Sequence, residues 1–396
     1  MSGRPQSIFQ RAQGVFAALG STVYVDLSTM REAHWTGIPV VAAGLCGALL
    51  ELLPDQVRFF DGYALIGNDF VADAVARNTG VFLDWDIKRG YAQTGTLPVS
   101  GEAGPSMGLF ASVKPLRRAF DVEASIFHDL STVTMPLFHI RGNVVHHTNA
   151  FQADIASNDF SITVSEATRA DLSVYLGTKL EDIVAVPNGV TWPAWFAAMG
   201  ENAAGPARAE PYFLVLGTRE PRKNIMKVFD LLEARPDLLA GHRFVFAGKM
   251  GWLEEQHALP RSLEPFVADG RITFTGFVSE AEKYVLLRHA TATLYPSLFE
   301  GFGLPVLESL SVGTPCVASW SSSIPEVGGE VCSYFDPFSV EDFARAIEDL
   351  LARRGPALEA ACRARAEKFT WRLAAARILD RALKCKVFQA ESATNR

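Results

Sequence analysis

Residues 290–318 read ATATLYPSLFEGFGLPVLESLSVGTPCVA, a strand, a turn and a helix in immediate succession. ATLYPS has the β-branched and apolar make-up of a short buried strand that stops at a proline. Glu300, Gly301, Phe302, Gly303, Leu304 and Pro305 form a turn-prone set ahead of a helical pattern that ends near Gly313. Glu300 therefore precedes the helix and Glu308 lies about one and a half turns inside it. The glycines at 301 and 303 let the backbone come close to a ligand. The free N–H groups and dipole of the helix start favour a diphosphate or another anion.

Outward from this stretch the same step repeats. In the first half, strand-like runs occur at TVYVD (22–26), VRFF (57–60), EASIF (123–127), NVVHHT (143–148), FSITV (160–164) and DIVAVP (182–187). In the second they occur at YFLVLG (212–217), RFVFAG (243–248), RITFTG (271–276), ATLYP (292–296), TPCVAS (314–319) and VCSYFD (331–336). Helical patterns separate them, among them VVAAGLCGALLELL, SEATRADLSVYLG, NIMKVFDLLEA and VEDFARAIEDLL. Short apolar strands alternating with helices predict βαβ units and parallel sheets buried on both faces. Two such sheets in tandem make two Rossmann-like domains, with WPAWFAAMGENAAGPARAEP (192–211) as the linker. Ligands of such sheets bind beyond the carboxyl ends of the strands, here facing one another across a cleft. No G-x-G-x-x-G follows a strand, which argues against a nicotinamide dehydrogenase.

Each carboxylate has a chemical reading. A buried glutamate with no cation to pair with accepts hydrogen bonds from neutral hydroxyls, in which sugars are dense. One acid before the helix and one inside it suit a nucleotide sugar, Glu300 on the hexose and Glu308 on the ribose. The same spacing also fits an N-cap acid and an unrelated surface acid.

The wording around the two acids, LYPSLFEGFGLPVLESLSVGTPCVAS, closely resembles the nucleotide-sugar motif of retaining GT-B glycosyltransferases of family 4, and the following IPEVGGEVCSYFDP extends the match. The resemblance covers about residues 22–375, strongly in the second half and weakly over 50–122. It implies an α/β GT-B architecture: a Rossmann-like acceptor domain at 1–195, a nucleotide-sugar domain at 196–375, and a tail at 376–396 that returns to the first domain. It makes Glu300 and Glu308 the acids that flank the donor, with Phe302, Gly303 and Leu304 between them.

Three further patches extend the resemblance. After YFLVLG come Gly217, Thr218, Arg219, Glu220, Pro221, Arg222, Lys223 and Asn224. Cations between a strand end and a helix suit a diphosphate leaving group, and the resemblance puts Lys223 on the donor phosphates. Relatives often carry an arginine where this chain has Thr218, so Arg219 or Arg222 is expected to take that part. EASIF ends at His128-Asp129, which is similar to the family's H-D motif, whose histidine reaches the donor sugar. Ser165-Glu166 and Pro187-Asn188-Gly189-Val190 fit the same pattern. Gly37-Ile38 resembles the phosphate-approaching loop, in which relatives often carry G-I-x-R where this chain has GIPVV, with Val40 at the arginine position.

Composition narrows the partners. A chain of 396 residues is long for one core, and 48% hydrophobic with 20% charged residues fits a globular enzyme with large cores. A net charge of −7 argues against nucleic acid. Residues 1–195 hold 13 Lys and Arg against 19 Asp and Glu, giving little attraction to an anionic membrane. No apolar run reaches the length of a membrane span, and MSGRPQSIFQRAQGVFAALG lacks a signal-peptide core. The expected location is cytoplasmic, with at most peripheral contact at the inner face of the membrane. The five scattered cysteines (46, 316, 332, 362 and 385) fit reduced thiols. His139, His146 and His147 read as core, loop or surface residues, and the HHT run lacks a third metal ligand. DWD at 84–86 is a weak exception to the lack of a magnesium-holding D-x-D pair.

The resemblance implies a retaining hexosyltransferase, and no metal cofactor is expected. The E-P-R-K-N and S-Y-F-D-P phrasing most resembles bacterial mannosyl- or rhamnosyltransferases, which implies a nucleotide-diphosphate sugar as donor, GDP-mannose in preference to a UDP- or dTDP-sugar. The expected acceptor is a glycan or lipid-linked glycan, in surface polysaccharide or lipopolysaccharide biosynthesis. His128, Glu300 and Lys223 carry the catalytic expectations. A glycosyl phosphorylase of the same fold and a non-catalytic nucleotide-sugar-binding subunit are the alternatives.

Overall fold

The computed structural model describes residues 5–31, 35–77, 93–97, 104–196, 210–249 and 259–394. The chain forms two compact units, residues 1–191 with 369–396 and residues 192–368. The divisions fall at 191/192 and 368/369, not at 195/196 and 375/376, and aromatic packing explains the offset. Trp192 donates from its indole to Ser311 Oγ (2.8 Å) and meets the Tyr284 ring edge-on, which ties it to the second unit. Trp371 belongs to the first unit. A Cβ at either Gly44 or Gly189 would lie 2.2 Å from Trp371 atoms, so only glycine permits that approach.

In the first unit the strands are β1 (Thr22–Asp26), β2 (Val57–Asp61), β3 (Ala64–Ile66), β4 (Gln93–Thr96), β5 (Ser106–Phe110), β6 (Val122–Phe127), β7 (Ser161–Thr163) and β8 (Ile183–Ala185). Among the described residues they form one sheet in the order β4-β3-β2-β1-β5-β6-β7-β8. The pairings of β3 with β2 and β4 are antiparallel and the rest are parallel. Strands β3 to β5 lie in the stretch 50–122, where the family resemblance is weak and only VRFF (57–60), here β2, reads as a strand. The run NVVHHT is not a strand: it belongs to a helix over Arg141–Ser157. Its β-branched residues suggested extension, but Ala150, Phe151 and Asp154 are buried at helical spacing. Tertiary burial overrides local propensity there.

The second unit holds β9 (Tyr212–Leu216), β10 (Arg243–Ala247), β11 (Ile272–Gly276), β12 (Ala292–Tyr295), β13 (Cys316–Ser319) and β14 (Ser333–Phe335). All pairings are parallel, in the order β11-β10-β9-β12-β13-β14. Alternation along β9 shows why its sequence is continuously apolar. Phe213 and Val215 pack in one buried cluster with Phe229, Phe244 and Ile347. Tyr212, Leu214 and Leu216 pack in another with Val245 and Leu287. Both faces are covered, so no polar alternation survives. Among the described residues no helix is long and apolar enough to cross a membrane.

Candidate functional site

In the second unit the site grows from the loop between β12 and the helix over Leu304–Ser311. Gly303, the residue before that helix, has φ +102°, a conformation that L side chains rarely adopt. This turn lets the chain enter the helix directly, with Pro305 in its first turn. Phe302 is buried, Leu304 is half-buried at the helix start, and Glu308 is buried within the helix.

The loop ahead of the helix is held by side chains, because its carbonyls have no strand partner. Asn224 Nδ2 donates to the Pro296 carbonyl (3.1 Å) and also to that of Pro337 (3.0 Å). Ser319 Oγ donates to the carbonyl of Ser297, and Ser321 Oγ to that of Leu298. Arg222 Nη1 donates to the Phe299 carbonyl (2.7 Å) and Ser323 Oγ to the Glu300 carbonyl (2.8 Å). The Glu300 N–H donates to Ser322 Oγ (2.8 Å). Five consecutive carbonyls are thereby satisfied, which fixes the loop as rigidly as a strand would.

Glu300 does not meet the expectation of a glutamate without a cation. Lys223 Nζ donates to its Oε1 (2.7 Å) and Arg222 Nη1 to its Oε2 (2.9 Å). Burial alone would raise its pKa, but the two cations and their hydrogen bonds hold it at about 2. Arg222 Nη2 also reaches Glu220 Oε1 (2.8 Å), and Lys223 Nζ reaches the buried Tyr295 hydroxyl (3.1 Å). Glu308 is likewise paired: Lys283 Nζ sits 2.8 Å from both Glu308 Oε1 and Glu280 Oε1. Burial raises the Glu308 pKa; Lys283 opposes the rise and Glu280 adds to it. Burial likewise disfavours the Lys283 charge, yet Glu308 and Glu280 together raise its pKa.

The loop after β9 separates its two arginines. Arg222 joins Glu300, whereas the Arg219 guanidinium lies over the Phe274 ring (4.8 Å). Gly217, at φ +137°, ends β9, and a Cβ on Gly248 would come within 1.9 Å of the Gly217 carbonyl oxygen. The Gly217-Thr218 backbone and the residue after β10 therefore approach as closely as the chain allows. Asn224, at φ +53°, then turns the chain toward the helix over Met226–Ala234.

In the first unit a pocket of about 190 Å³ is lined by Ile38, His128, Asp129, Thr132, His139 and His147, among others. His128 follows β6 and its Nε2 contacts the Ala111 carbonyl at 2.6 Å. A carbonyl only accepts, so Nε2 carries the proton and Nδ1 is left as an acceptor. Burial pushes the His128 pKa below its ordinary value, against the smaller opposing pull of that carbonyl. Gly37, at φ +60°, stands exposed before the helix over Ile38–Leu52 and delivers Ile38 to the pocket. The buried Thr132 hydroxyl has no partner among the described residues. Ser165 caps the helix over Glu166–Leu176 by accepting from the Thr168 N–H (3.0 Å). His139 and His147, read from sequence as bystanders, share the pocket with His128. Among the described residues no group of His, Cys, Asp and Glu is arranged to hold a metal; DWD at 84–86 lies outside them.

Sequence reasoning named Glu220 and Asn224 within the loop after β9 without giving either a role, and it missed Lys283 and the serines at 319–323. Only Asn224 carried a local signal, since asparagine tolerates a left-handed turn. The others are brought in by tertiary contact.

Comparison with known proteins fits this description. Residues 201–369 match the family model for glycosyl transferases group 1. The O-antigen chain mannosyltransferase B of Escherichia coli is 29% identical over 227 residues, which cover 54% of this chain and 57% of that protein. The GDP-mannose-dependent alpha-(1-6)-phosphatidylinositol dimannoside mannosyltransferase of Mycobacterium tuberculosis is 34% identical over 167 residues, 41% of each chain. The chain thus spans about half the length of these curated relatives. Among solved structures, Anabaena HepE in complex with UDP and glucose superposes with a TM-score of 0.61 at 14% identity, covering 92% of this chain and 100% of that one. The protein is therefore built of two Rossmann-like units of the GT-B type, and its residues 201–369 are similar in sequence to glycosyl transferases group 1.

Proposed function

We propose that this protein is a retaining hexosyltransferase that moves a hexose from a nucleotide-diphosphate sugar, GDP-mannose in preference, to a glycan or lipid-linked glycan. The observation that carries the reading is the cluster of Lys223, Arg222 and Glu300 beside the helix that starts after Gly303. Its cations, the helix N–H groups and a glycine-paved backbone together suit a diphosphate. The names of the mannosyltransferase relatives support mannose as the sugar and a surface glycan as the product.

In this reading the bond between the anomeric carbon and the diphosphate oxygen breaks, and that oxygen gains negative charge. Lys223 and Arg222 stabilise it, so no metal is required of the protein. A diphosphate against Lys223 competes with Glu300 for the same ammonium, freeing a carboxylate oxygen to accept from a hexose hydroxyl. The acceptor hydroxyl adds to the anomeric carbon on the face the phosphate leaves, and its proton passes to the departing phosphate. The second unit takes the donor, with Glu308 on the ribose. The first unit takes the acceptor, and there His128 keeps Nδ1 unprotonated as a hydrogen-bond acceptor.

A thermal-shift panel of GDP, UDP, dTDP, ADP and their sugar conjugates, without metal and then with magnesium, tests this. A nucleotide at about a hundred times its dissociation constant adds roughly 2.7 kcal/mol of stability. A selective shift by GDP without metal, followed by mannosyl transfer to a glycan, is expected. No shift from any nucleotide, or a requirement for inorganic phosphate instead, refutes the reading.

A further inference from the structure

The pocket beside His128 limits the kind of group that the first unit admits. Its volume of about 190 Å³ holds about six waters at their liquid share of about 30 Å³ each. Pockets that enclose a whole drug-sized ligand run from about 300 to 1,000 Å³. This one fits a single sugar ring and not an oligosaccharide.

Charge is the first constraint. Among the described residues that line the pocket there is no lysine or arginine, whereas Asp129 and Asp154 both line it. The cations behind the wall are already committed: Arg117 Nε donates to Asp154 Oδ1 (2.9 Å), and the Lys114 ammonium pairs with Glu123. Asp129 has no such cation. Its Oδ1 accepts from the Ser131 N–H (2.9 Å) and hydroxyl (2.6 Å), and its Oδ2 has no partner among the described residues. The Asp129 charge favours protonation of His128 and His147, but burial outweighs it and holds both below the ordinary 6.5. Both imidazoles are therefore neutral at about pH 7.5.

Hydrogen-bonding roles are the second constraint. His128 has Nδ1 as an acceptor because Nε2 donates to the Ala111 carbonyl, and carboxylates only accept. These groups call for a ligand that donates. The Thr132 hydroxyl, buried and unpartnered among the described residues, is a further group to satisfy, and leaving it unmet is costly. A sugar hydroxyl both donates and accepts, so it suits all of them. A phosphate or carboxylate only accepts, and would bring negative charge to Asp129 with no cation to offset it. Ile38 and Phe151 add apolar surface to the lining, against which the C–H bonds of a pyranose ring pack.

We propose that this pocket binds the terminal pyranose of the acceptor as an uncharged polyol, with Thr132 among its hydrogen-bond partners, and so selects neutral hexoses and deoxyhexoses against uronic acids and sugar phosphates. Calling that sugar the acceptor rests on the proposed function; its lack of charge does not.

The full chain with isotope-labelled histidine tests this by NMR, with His128→Gln and His147→Gln assigning the two imidazoles. The probes, at about pH 7.5, are the methyl glycosides of mannose, rhamnose, glucose and galactose, then glucuronate, mannose 6-phosphate, GDP and GDP-mannose. Each sugar is added alone and with GDP present. At least one methyl glycoside is expected to move both imidazole signals, with glucuronate and mannose 6-phosphate binding at least about tenfold more weakly. Thr132→Val replaces the unmet hydroxyl by a methyl group and should unfold no more easily than the parent. It should bind the same glycoside about fivefold more weakly and GDP within about twofold of the parent. Imidazoles unmoved by every methyl glycoside, movement by GDP-mannose alone, or an acidic sugar bound as tightly as the neutral ones overturns the proposal. So does Thr132→Val with unchanged glycoside affinity or clearly reduced stability. Movement with a methyl glycoside when no nucleotide binds sustains the pocket and refutes the donor reading.

Discussion

Replacing Glu300 by glutamine keeps the shape of the side chain and removes its charge, so it isolates the electrostatics of the Lys223–Glu300–Arg222 cluster. The carboxylate pKa lies at about 2 against an ordinary 4.5. At 1.36 kcal/mol per unit this difference is about 3 kcal/mol in favour of the charged form. A second route gives a similar figure: breaking a buried ion pair costs about 3–5 kcal/mol, because the remaining charge stays buried. Glu300→Gln is therefore expected to destabilise the second unit by about 3 kcal/mol at pH 7, lowering Tm by roughly 6–12 °C for a unit of this size. The dependence on pH has a definite sign. Because the folded pKa is depressed, the stabilisation is fully present above pH 4.5 and is lost as pH falls through the folded value of about 2. The gap between parent and variant should stay constant from about pH 8 to 5.5 and narrow below 4.5. The variant should also bind GDP no more weakly than the parent, since its unpaired cations are open to phosphate, while turnover falls at least about tenfold. Urea unfolding over this pH range, with calorimetric titration of GDP, measures each term. Equal stability within about 0.5 kcal/mol, or a gap that widens toward acid, would refute the reasoning.

Three further outcomes follow from the same geometry. Asn224→Gly keeps the left-handed turn but loses both amide hydrogen bonds, and should cost about 1–2 kcal/mol in urea unfolding; Asn224→Ala should cost about 1 kcal/mol more through backbone strain. Lys283→Met leaves Glu280 and Glu308 without their shared cation and should destabilise by about 3 kcal/mol at pH 7. That loss should shrink toward pH 5, because Glu308 is already pushed toward its protonated form, and denaturation at the two pH values measures it. In the first unit, burial holds His128 and His147 below the ordinary histidine value of 6.5. The unfolded chain then binds more protons than the folded one, so stability present above pH 6.5 should fall as pH drops below it; His128→Gln should flatten that slope in a urea series and lower turnover at least about tenfold.

The two halves differ in how much of them the sequence exposes. Strands β9 to β14 were all legible, since each is a short apolar run beside a helical pattern, and all but the edge strand β11 are largely buried. Strands β3 and β4 were not: β4 is mostly exposed and both pair antiparallel at the sheet edge. The helix over Arg141–Ser157 was misread through Val144 and Val145, because two β-branched residues favour extension until burial of Phe151 and Asp154 decides otherwise.

By itself the sequence determined the parallel α/β architecture, the strand–turn–helix step at Glu300 and Glu308, and the cationic loop at Arg222 and Lys223. Apolar periodicity, turn residues and local spacing are properties of neighbours along the chain, and these features depend on nothing else. Only the tertiary structure decided who pairs with whom. Glu300 meets Lys223 from 77 positions away, Glu308 meets Lys283, Arg219 turns to Phe274 while Arg222 turns to Glu300, and serines 319–323 hold the loop. Ion pairs and carbonyl contacts of this kind arise when strands adjacent in space bring distant loops to one edge of a sheet, and no local pattern of residues records that adjacency.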